Sequence, residues 1–200
     1  MAGNGRRRRP PGPLSPERAW DYLLFLLSRR MYTTAELTDK LLRRGIDEAE
    51  AARLVVRLAD LKLVDDVVYT DQYVNSRSSS RGRLGLRREL TRKGVAPELV
   101  EERLTELTPE GQLAAATALL RKNAWRYEPQ AAQEPQAAEE PQAGEEPQAA
   151  EEPPGGEERL RREARLRARS KAFAFLARRG FTVDAAQGAL EAVGWFDDDD

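Results

Sequence analysis

One six-residue pattern recurs three times and constrains the fold of this chain more than any other feature. It reads Leu41-Leu42-Arg43-Arg44-Gly45-Ile46, then Leu90-Thr91-Arg92-Lys93-Gly94-Val95, then Leu176-Ala177-Arg178-Arg179-Gly180-Phe181. Two cations before a glycine suit a helix end. The cations offset the negative C-terminal dipole, and glycine accepts the left-handed conformation that stops the coil. Register persists past the glycine: six residues on stand Ala51, Val100 and Ala186, ten on Val55, Leu104 and Leu190, and thirteen on Leu58, Leu107 and Val193. These offsets lie close to whole helical turns, so each copy predicts a helix, a glycine turn and a second helix with an apolar stripe. Three copies in register predict a repeat.

Capping signals place the other helices. Ser15-Pro16 opens a first helix, ending near Met31, with Trp20, Leu23, Leu24, Leu27 and Met31 at spacings of three and four. Thr33 and Glu36 form a T-x-x-E capping box for a helix to Gly45, and Asp47 caps a third whose stripe is Ala51, Leu54, Val55, Leu58 and Leu61. Asp65-Asp66 begins a short helix with Val67, Tyr69, Tyr73 and Val74, which runs out in the polar stretch 75–80. Further helices are predicted from Gly82 to Gly94, from Pro97 through Leu107, from Thr108-Pro109 to about Trp125, and from Glu157 to Arg179. Thr182 or Asp184 caps a last one. The fold class is therefore all-α: an elongated, curved array of three tandem three-helix repeats at residues 14–65, 66–107 and 108–196.

Three segments stand outside the pattern. Residues 1–13 are Gly, Pro and Arg with almost nothing to bury, a disordered basic arm. Residues 128–157 are five copies close to Glu-Pro-Gln-Ala-Ala-Glu, with prolines at 129, 135, 141, 147 and 153. Proline every sixth residue blocks a long helix and the glutamates repel, so this segment reads as an extended, disordered acidic insert that lengthens a loop inside the third repeat. Residues 197–200 form an acidic tail.

These segments also hide the charge of the body. The formal net charge is -1, but nine glutamates lie in 128–157 and four aspartates in the tail, which leaves +12 on the remainder. A basic body favours an anionic partner, either nucleic acid or an acidic protein surface. With no cysteine and no histidine, the chain lacks thiolate nucleophiles, the commonest zinc ligands and the usual general base near neutral pH. The expectation is a protein that is not an enzyme and has no cofactor or metal. The longest apolar run, Tyr22 to Leu27, is far below the roughly 20 residues of a membrane span, which predicts a cytoplasmic protein with no membrane partner.

The candidate contact surface is basic: Arg43, Arg44, Arg77, Arg81, Arg83, Arg87, Arg88, Arg92, Lys93, Arg165, Arg169, Arg178 and Arg179. The densest part is 77–93, where only Glu89 is acidic, and Arg88 and Arg92 lie one turn apart off the Leu86 to Leu90 stripe. The plain alternative is a solvated face with internal Arg-Glu pairing. Tyr69 and Tyr73 have core-like spacing and read as packing residues rather than base-stacking platforms, and Trp20 and Trp195 as core or end-cap residues. Gly82-Arg83-Leu84-Gly85 has the glycines of a phosphate cradle but neither a following G-K-[ST] nor a preceding strand.

The order of motifs resembles the RecX family of recombination regulators. The resemblance rests on Arg29-Arg30, Thr33-x-x-Glu36-Leu37 and Lys40-Leu41-Leu42-Arg43-Arg44-Gly45 in the first unit. It continues in Leu63-Val64-Asp65-Asp66, Tyr73-Val74-x-x-Arg77 and Arg88-Glu89-Leu90-x-x-Lys93-Gly94-Val95, then in Phe175-Leu176-x-x-Arg179-Gly180-Phe181. It implies an all-helical array of three-helix repeats. It further implies binding to the RecA recombinase filament on single-stranded DNA, limiting filament growth and so lowering ATP hydrolysis, strand exchange and co-protease activity. The expected partners are thus the RecA filament and single-stranded DNA, directly or through the filament, and the expected state is a monomer. Two other readings stay open on the residues alone: a sequence-independent DNA-binding helical protein, and a generic interaction scaffold.

Overall fold

The computed structural model describes residues 14–127 and 156–194. The arm 1–13, residues 128–155 of the acidic insert, Trp195 and the tail 197–200 lie outside the described residues. Among the described residues every regular element is helical: α1 (Pro16–Leu27), α2 (Thr34–Leu42), α3 (Glu48–Asp60), α4 (Asp66–Arg77), α5 (Arg83–Arg92), α6 (Pro97–Thr105), α7 (Pro109–Lys122), a 3-10 turn (Ala124–Arg126), α8 (Gly156–Arg178) and α9 (Val183–Val193). The helices form a repeat array, α1–α3, α4–α6 and α7–α9 each carrying one glycine turn. By compactness the chain divides into two units: Met1–Arg77 with Leu86–Glu106, and Ser78–Gly85 with Leu107–Asp200.

All three glycine turns adopt one conformation. Gly45, Gly94 and Gly180 have φ of 78°, 75° and 80°. The N–H of the apolar residue after each glycine donates to the leucine carbonyl five residues back: Ile46 to Leu41 at 3.1 Å, Val95 to Leu90 at 3.2 Å, Phe181 to Leu176 at 3.2 Å. The glycine N–H closes the inner ring, as in the Schellman motif. The predicted register places the core. Leu41, Leu90 and Leu176 are fully buried, as are Ala51, Val100 and Ala186 to within 1%. Val55, Leu104 and Leu190 are also buried, whereas Leu107 and Val193, a turn further on, are only half-buried.

Two local expectations are corrected, and a third boundary falls where expected. Helix α1 stops at Leu27, a turn before Met31, because Ser28 Oγ donates to Phe25 O at 2.9 Å and the Arg29 N–H closes a tighter turn onto Leu26 O at 3.1 Å. That bend seats Tyr32 in the core and leaves Met31 38% exposed, and Ala19 and Leu26 take the buried places expected for Leu24 and Leu27. Helix α4 has twelve residues and ends at Arg77, within the polar stretch 75–80 where its end is expected. Helix α8 begins at Gly156, so the last two residues of the segment assigned to the insert belong to a helix.

In the first unit a polar junction fastens α2. Thr33 and Glu36 make the predicted capping box, with Glu36 N–H donating to Thr33 Oγ1 at 3.1 Å and Thr33 N–H to Glu36 Oε2 at 3.3 Å. The Thr33 hydroxyl, fully buried, donates onward to Lys93 O at 2.6 Å. The paired aspartates divide their work. Asp65 caps its own helix through Val67 N–H at 2.8 Å, while Asp66 accepts from the Thr34 N–H at 2.9 Å and the Thr34 hydroxyl at 2.7 Å. Since a buried polar group left unpaired costs about 1–3 kcal/mol, this set of mutually satisfied groups specifies one arrangement of α2, α4 and α5.

In the second unit α9 packs on α7 and α8 around Leu119, Leu120, Phe175, Leu176 and Leu190. Gly82-Arg83-Leu84-Gly85 is a seat for the third glycine turn rather than a phosphate cradle. Gly82 N–H donates to Arg179 O at 3.0 Å and Leu84 N–H to Gly180 O at 3.0 Å, so the free amides opening α5 meet the free carbonyls closing α8. A Cβ on Gly82 would stand 2.2 Å from Phe181 N, and one on Gly85 2.3 Å from Arg179 O.

Candidate functional site

The glycine turns treat their two cations differently. The second of each pair is half-buried with its charged group over an aromatic ring: Arg44 Cζ lies 5.0 Å from the Tyr22 centroid, Lys93 Nζ 5.5 Å from both Tyr69 and Tyr73, and Arg179 Cζ 4.0 Å from Phe175. The carbonyl of each is engaged as well, Arg44 O by Leu14 N–H at 2.8 Å, Lys93 O by Thr33 and Arg179 O by Gly82. A cation over a ring contributes about 0.5–2 kcal/mol and a backbone hydrogen bond about 1, so these three residues are part of how the turns hold together. The first cation of each pair, Arg43, Arg92 or Arg178, is exposed. Arg43 contacts Asp39 at 2.9 Å; Arg92 and Arg178 have no carboxylate partner among the described residues.

Lys93 is the most committed of the candidates. Its Nζ lies 3.0 Å from Glu36 Oε1, both side chains being 20% exposed. Burial pushes the Glu36 carboxyl up, but the Lys93 hydrogen bond, the Thr33 N–H and the charges of Lys93 and Arg30 outweigh it and hold the group below the usual carboxylate range. Burial likewise works against the Lys93 ammonium, yet Tyr69 and Glu36 raise it above its ordinary value. The stacked Tyr69 and Tyr73 rings, 5.9 Å apart, complete the junction, and the Tyr73 hydroxyl donates to Glu89 Oε2 at 2.8 Å. Burial first, then that carboxylate, pushes the Tyr73 phenol up. Both tyrosines pack, as their spacing suggests.

The remaining candidates fall into two groups. In the first unit Arg87 Nη2 donates to Glu101 Oε2 at 2.6 Å and Arg77 lies 4.9 Å over Tyr73, while Arg88 stands exposed one turn from Arg92 with no carboxylate partner among the described residues. In the second unit Arg83 is half-buried, its N–H donating to the buried Gln112 at 2.8 Å, and Arg165 and Arg169 are exposed on α8. Arg81 precedes the residue bonded to Arg179 O, so Arg81, Arg178 and Arg179 come together. Burial, and then the charges of Arg81, Arg126 and Arg178 against a contrary effect of Tyr127, hold the Arg179 guanidinium below its usual range. Sequence reasoning passed over Arg126 and its neighbour Trp125. The available signal was a Trp-Arg pair closing a stretch, 111–127, with no acidic residue.

Among the described residues no group of His, Cys, Asp or Glu could hold a metal ion, and no helix is long and apolar enough to cross a membrane.

Comparison with known proteins converges on one family. Residues 19–58 match the first three-helix domain of RecX, and residues 65–104 match the second. A regulatory protein RecX from Mycobacterium sp. (strain KMS) is 40% identical over 111 residues, covering 54% of this chain and 61% of that protein, so the chain spans less than two thirds of that relative. The regulatory protein RecX of Thermobifida fusca (strain YX) is 35% identical over 127 residues, covering 60% of this chain and 69% of the relative. The crystal structure of RecX from Lactobacillus salivarius superposes with a TM-score of 0.62 over 90% of this chain and 96% of the other, at 20% identity, a likeness of fold. With two domain matches in order, a relative of this identity covered over two thirds of its length, and the same helical repeat fold, this chain belongs to the RecX family.

Proposed function

We propose that this chain is a non-enzymatic regulator of the RecA recombinase, which binds the RecA filament on single-stranded DNA and limits its growth. ATP hydrolysis, strand exchange and co-protease activity fall with filament length. Membership of the RecX family, whose matched relatives are named regulatory proteins, carries this reading. The physical mechanism is steric and electrostatic: helical repeats lie along the filament and obstruct subunit addition. The contact set consists of the cations that reach solvent, with Arg88 and Arg92 foremost and Arg43, Arg77, Arg81, Arg83, Arg165, Arg169 and Arg178 beside them. Arg44, Arg87, Lys93 and Arg179 hold the scaffold that presents them.

The test is the single-stranded-DNA-dependent ATPase of RecA at substoichiometric amounts of this protein. Wild type is expected to inhibit, and R88E/R92E to need at least about tenfold more protein for the same inhibition with an unchanged melting temperature, because neither side chain has an ion pair to lose among the described residues. Equal inhibition by the variant removes that face from the reading. Inhibition that begins only when the protein saturates free DNA overturns filament binding itself.

A further inference from the structure

The starts of α7 and α9, with Arg83 at the start of α5, line an open cavity of about 350 Å³ inside one compact unit. Its interior offers hydrogen-bond donors. Gln112 is only 6% exposed, and its side-chain oxygen accepts the Arg83 N–H at 2.8 Å. That bond fixes the orientation of the amide, oxygen toward α5, and leaves the NH2 on the cavity with no partner among the described residues. The half-buried Arg83 has no carboxylate partner among the described residues either. Thr108 and Thr182 cap the third amide of their helices, Gly111 at 3.1 Å and Ala185 at 3.3 Å, and the Glu110 and Asp184 amides just ahead stay unpaired among the described residues. Donors held back from water, at the positive ends of two helices and beside a guanidinium, call for an anionic oxygen.

The rim has the opposite sign. Glu110 and Asp184 line the cavity from exposed positions, and neither carboxylate has an ion-pair partner among the described residues. They call for a cation and repel a polyanion. The rest of the wall is apolar, with Leu107 and Leu113 foremost. Leu113 is braced by α9, since a Cβ on Gly188 would stand 3.0 Å from its Cδ1, so that part of the wall is already in place before anything binds.

We propose that this cavity binds a free aliphatic α-amino acid as its zwitterion. The carboxylate meets the Gln112 NH2 and Arg83, the ammonium meets Glu110 and Asp184, and the side chain lies on Leu107 and Leu113. An amino acid carries an anion, a cation and an apolar group on one carbon, which is the combination the lining presents. Its size also suits the space, which is at the small end of the roughly 300–1,000 Å³ that ligand sites occupy. A peptide end keeps only one of the two charges, so donors and carboxylates facing one small space select the free molecule. Arg83 is the one residue shared with the contact set proposed for RecA, and the proposal goes beyond that reading without resting on it.

The experiment titrates leucine into the full chain, without RecA or DNA, and follows binding by isothermal titration calorimetry and by backbone amide chemical shifts. Leucinamide lacks the carboxylate, N-acetylleucine lacks the ammonium and glycine lacks the side chain. Each should bind at least about tenfold more weakly than leucine, having lost one charged or apolar contact. Q112E keeps an oxygen for the Arg83 N–H but loses the NH2 and should weaken leucine binding about tenfold. D184N, at an exposed position, should do the same and covers the case in which Q112E alters the fold, as read by circular dichroism. Absence of saturable binding at millimolar leucine overturns the proposal. Equal binding of N-acetylleucine would assign the cavity to a peptide carboxyl terminus and equal binding of leucinamide to an amino terminus, and either overturns the free amino acid as ligand. Unchanged leucine affinity in D184N and in folded Q112E overturns the site. Because RecA is absent, each of these failures leaves filament inhibition to its own test.

Discussion

Gly180→Ala should be among the most damaging single-methyl additions to this protein. Three effects add. At φ +80° an alanine is strained by about 1–2 kcal/mol relative to glycine. Its Cβ would stand 2.0 Å from Gly85 N and 2.3 Å from Gly85 Cα, both backbone atoms that no rotamer change can move aside. Separating the two segments by the ångström or more this demands breaks the bonds from Gly82 N–H to Arg179 O and Leu84 N–H to Gly180 O, each about 1 kcal/mol. The sum is about 3–4 kcal/mol. With a urea m-value of about 2 kcal/mol/M, the unfolding midpoint followed by circular dichroism should drop by about 1.5–2 M. Gly94→Ala is the informative comparison. It carries the same strain at φ +75°, but its close neighbour is the Ala35 Cβ at 2.3 Å, a side-chain atom. Adding Ala35→Gly should therefore restore about 1 kcal/mol or more of the Gly94→Ala loss, a coupling that no side-chain trimming near Gly180 can reproduce. A Gly180→Ala midpoint within 0.3 M of wild type would refute the reasoning, as would strict additivity of Gly94→Ala and Ala35→Gly.

Other perturbations test the polar junction and the segments around it. Glu36 is held below its unfolded value, so its contribution is present above about pH 4.3 and is lost as pH falls through the lower folded value. E36Q should accordingly be about 1–2 kcal/mol less stable than wild type at pH 7, with the gap closing below about pH 4 in urea titrations at several pH values. R87E should lower stability, by up to about 1 kcal/mol, where R88E does not, because only Arg87 gives up a partner, Glu101; matched thermal melts decide it. Replacing residues 128–155 by a short Gly-Ser linker should leave helicity and RecA inhibition nearly intact if that stretch serves only as a connection. A large loss of either signal assigns it a binding or structural role.

Much of the fold was legible because helices advertise their buried face at a fixed period. The leucine four before each glycine, and the small or branched residues six and ten after it, could be assigned to the core from spacing alone, and all nine are buried. Caps were legible for a similar reason, since Thr33, Asp47 and Thr108 each accept the N–H three residues on. The stripe of α1 was less so. Leu24 and Leu26 have the same character, and only the neighbouring helices choose between them, burying Leu26 and leaving Leu24 39% exposed. The candidate site was legible as composition but not as roles. Arg87 and Arg88 are adjacent and identical in chemistry, yet one pairs with Glu101 and the other is exposed with no carboxylate partner among the described residues.

The sequence by itself determined the helices, their turns and the membership of the chain in its family, because helix period, capping and glycine conformation are properties of residues a few positions apart. Tertiary structure alone decided what each cation does. Within every Leu-x-x-basic-Gly turn the two basic residues are interchangeable in the sequence, but the second faces a ring and the first faces water; for Arg44 and Lys93 the ring, Tyr22 or Tyr69 with Tyr73, arrives from another helix, and for Arg179 it is Phe175, one turn back on α8. It was likewise the packing of one helix start on another's end that turned Gly82 and Gly85 from a weak phosphate motif into a seat for Gly180. A charge is a structural strut or a contact for a partner according to what lies within about 5 Å of it, and for Arg44 and Lys93 those neighbours come from segments remote in sequence.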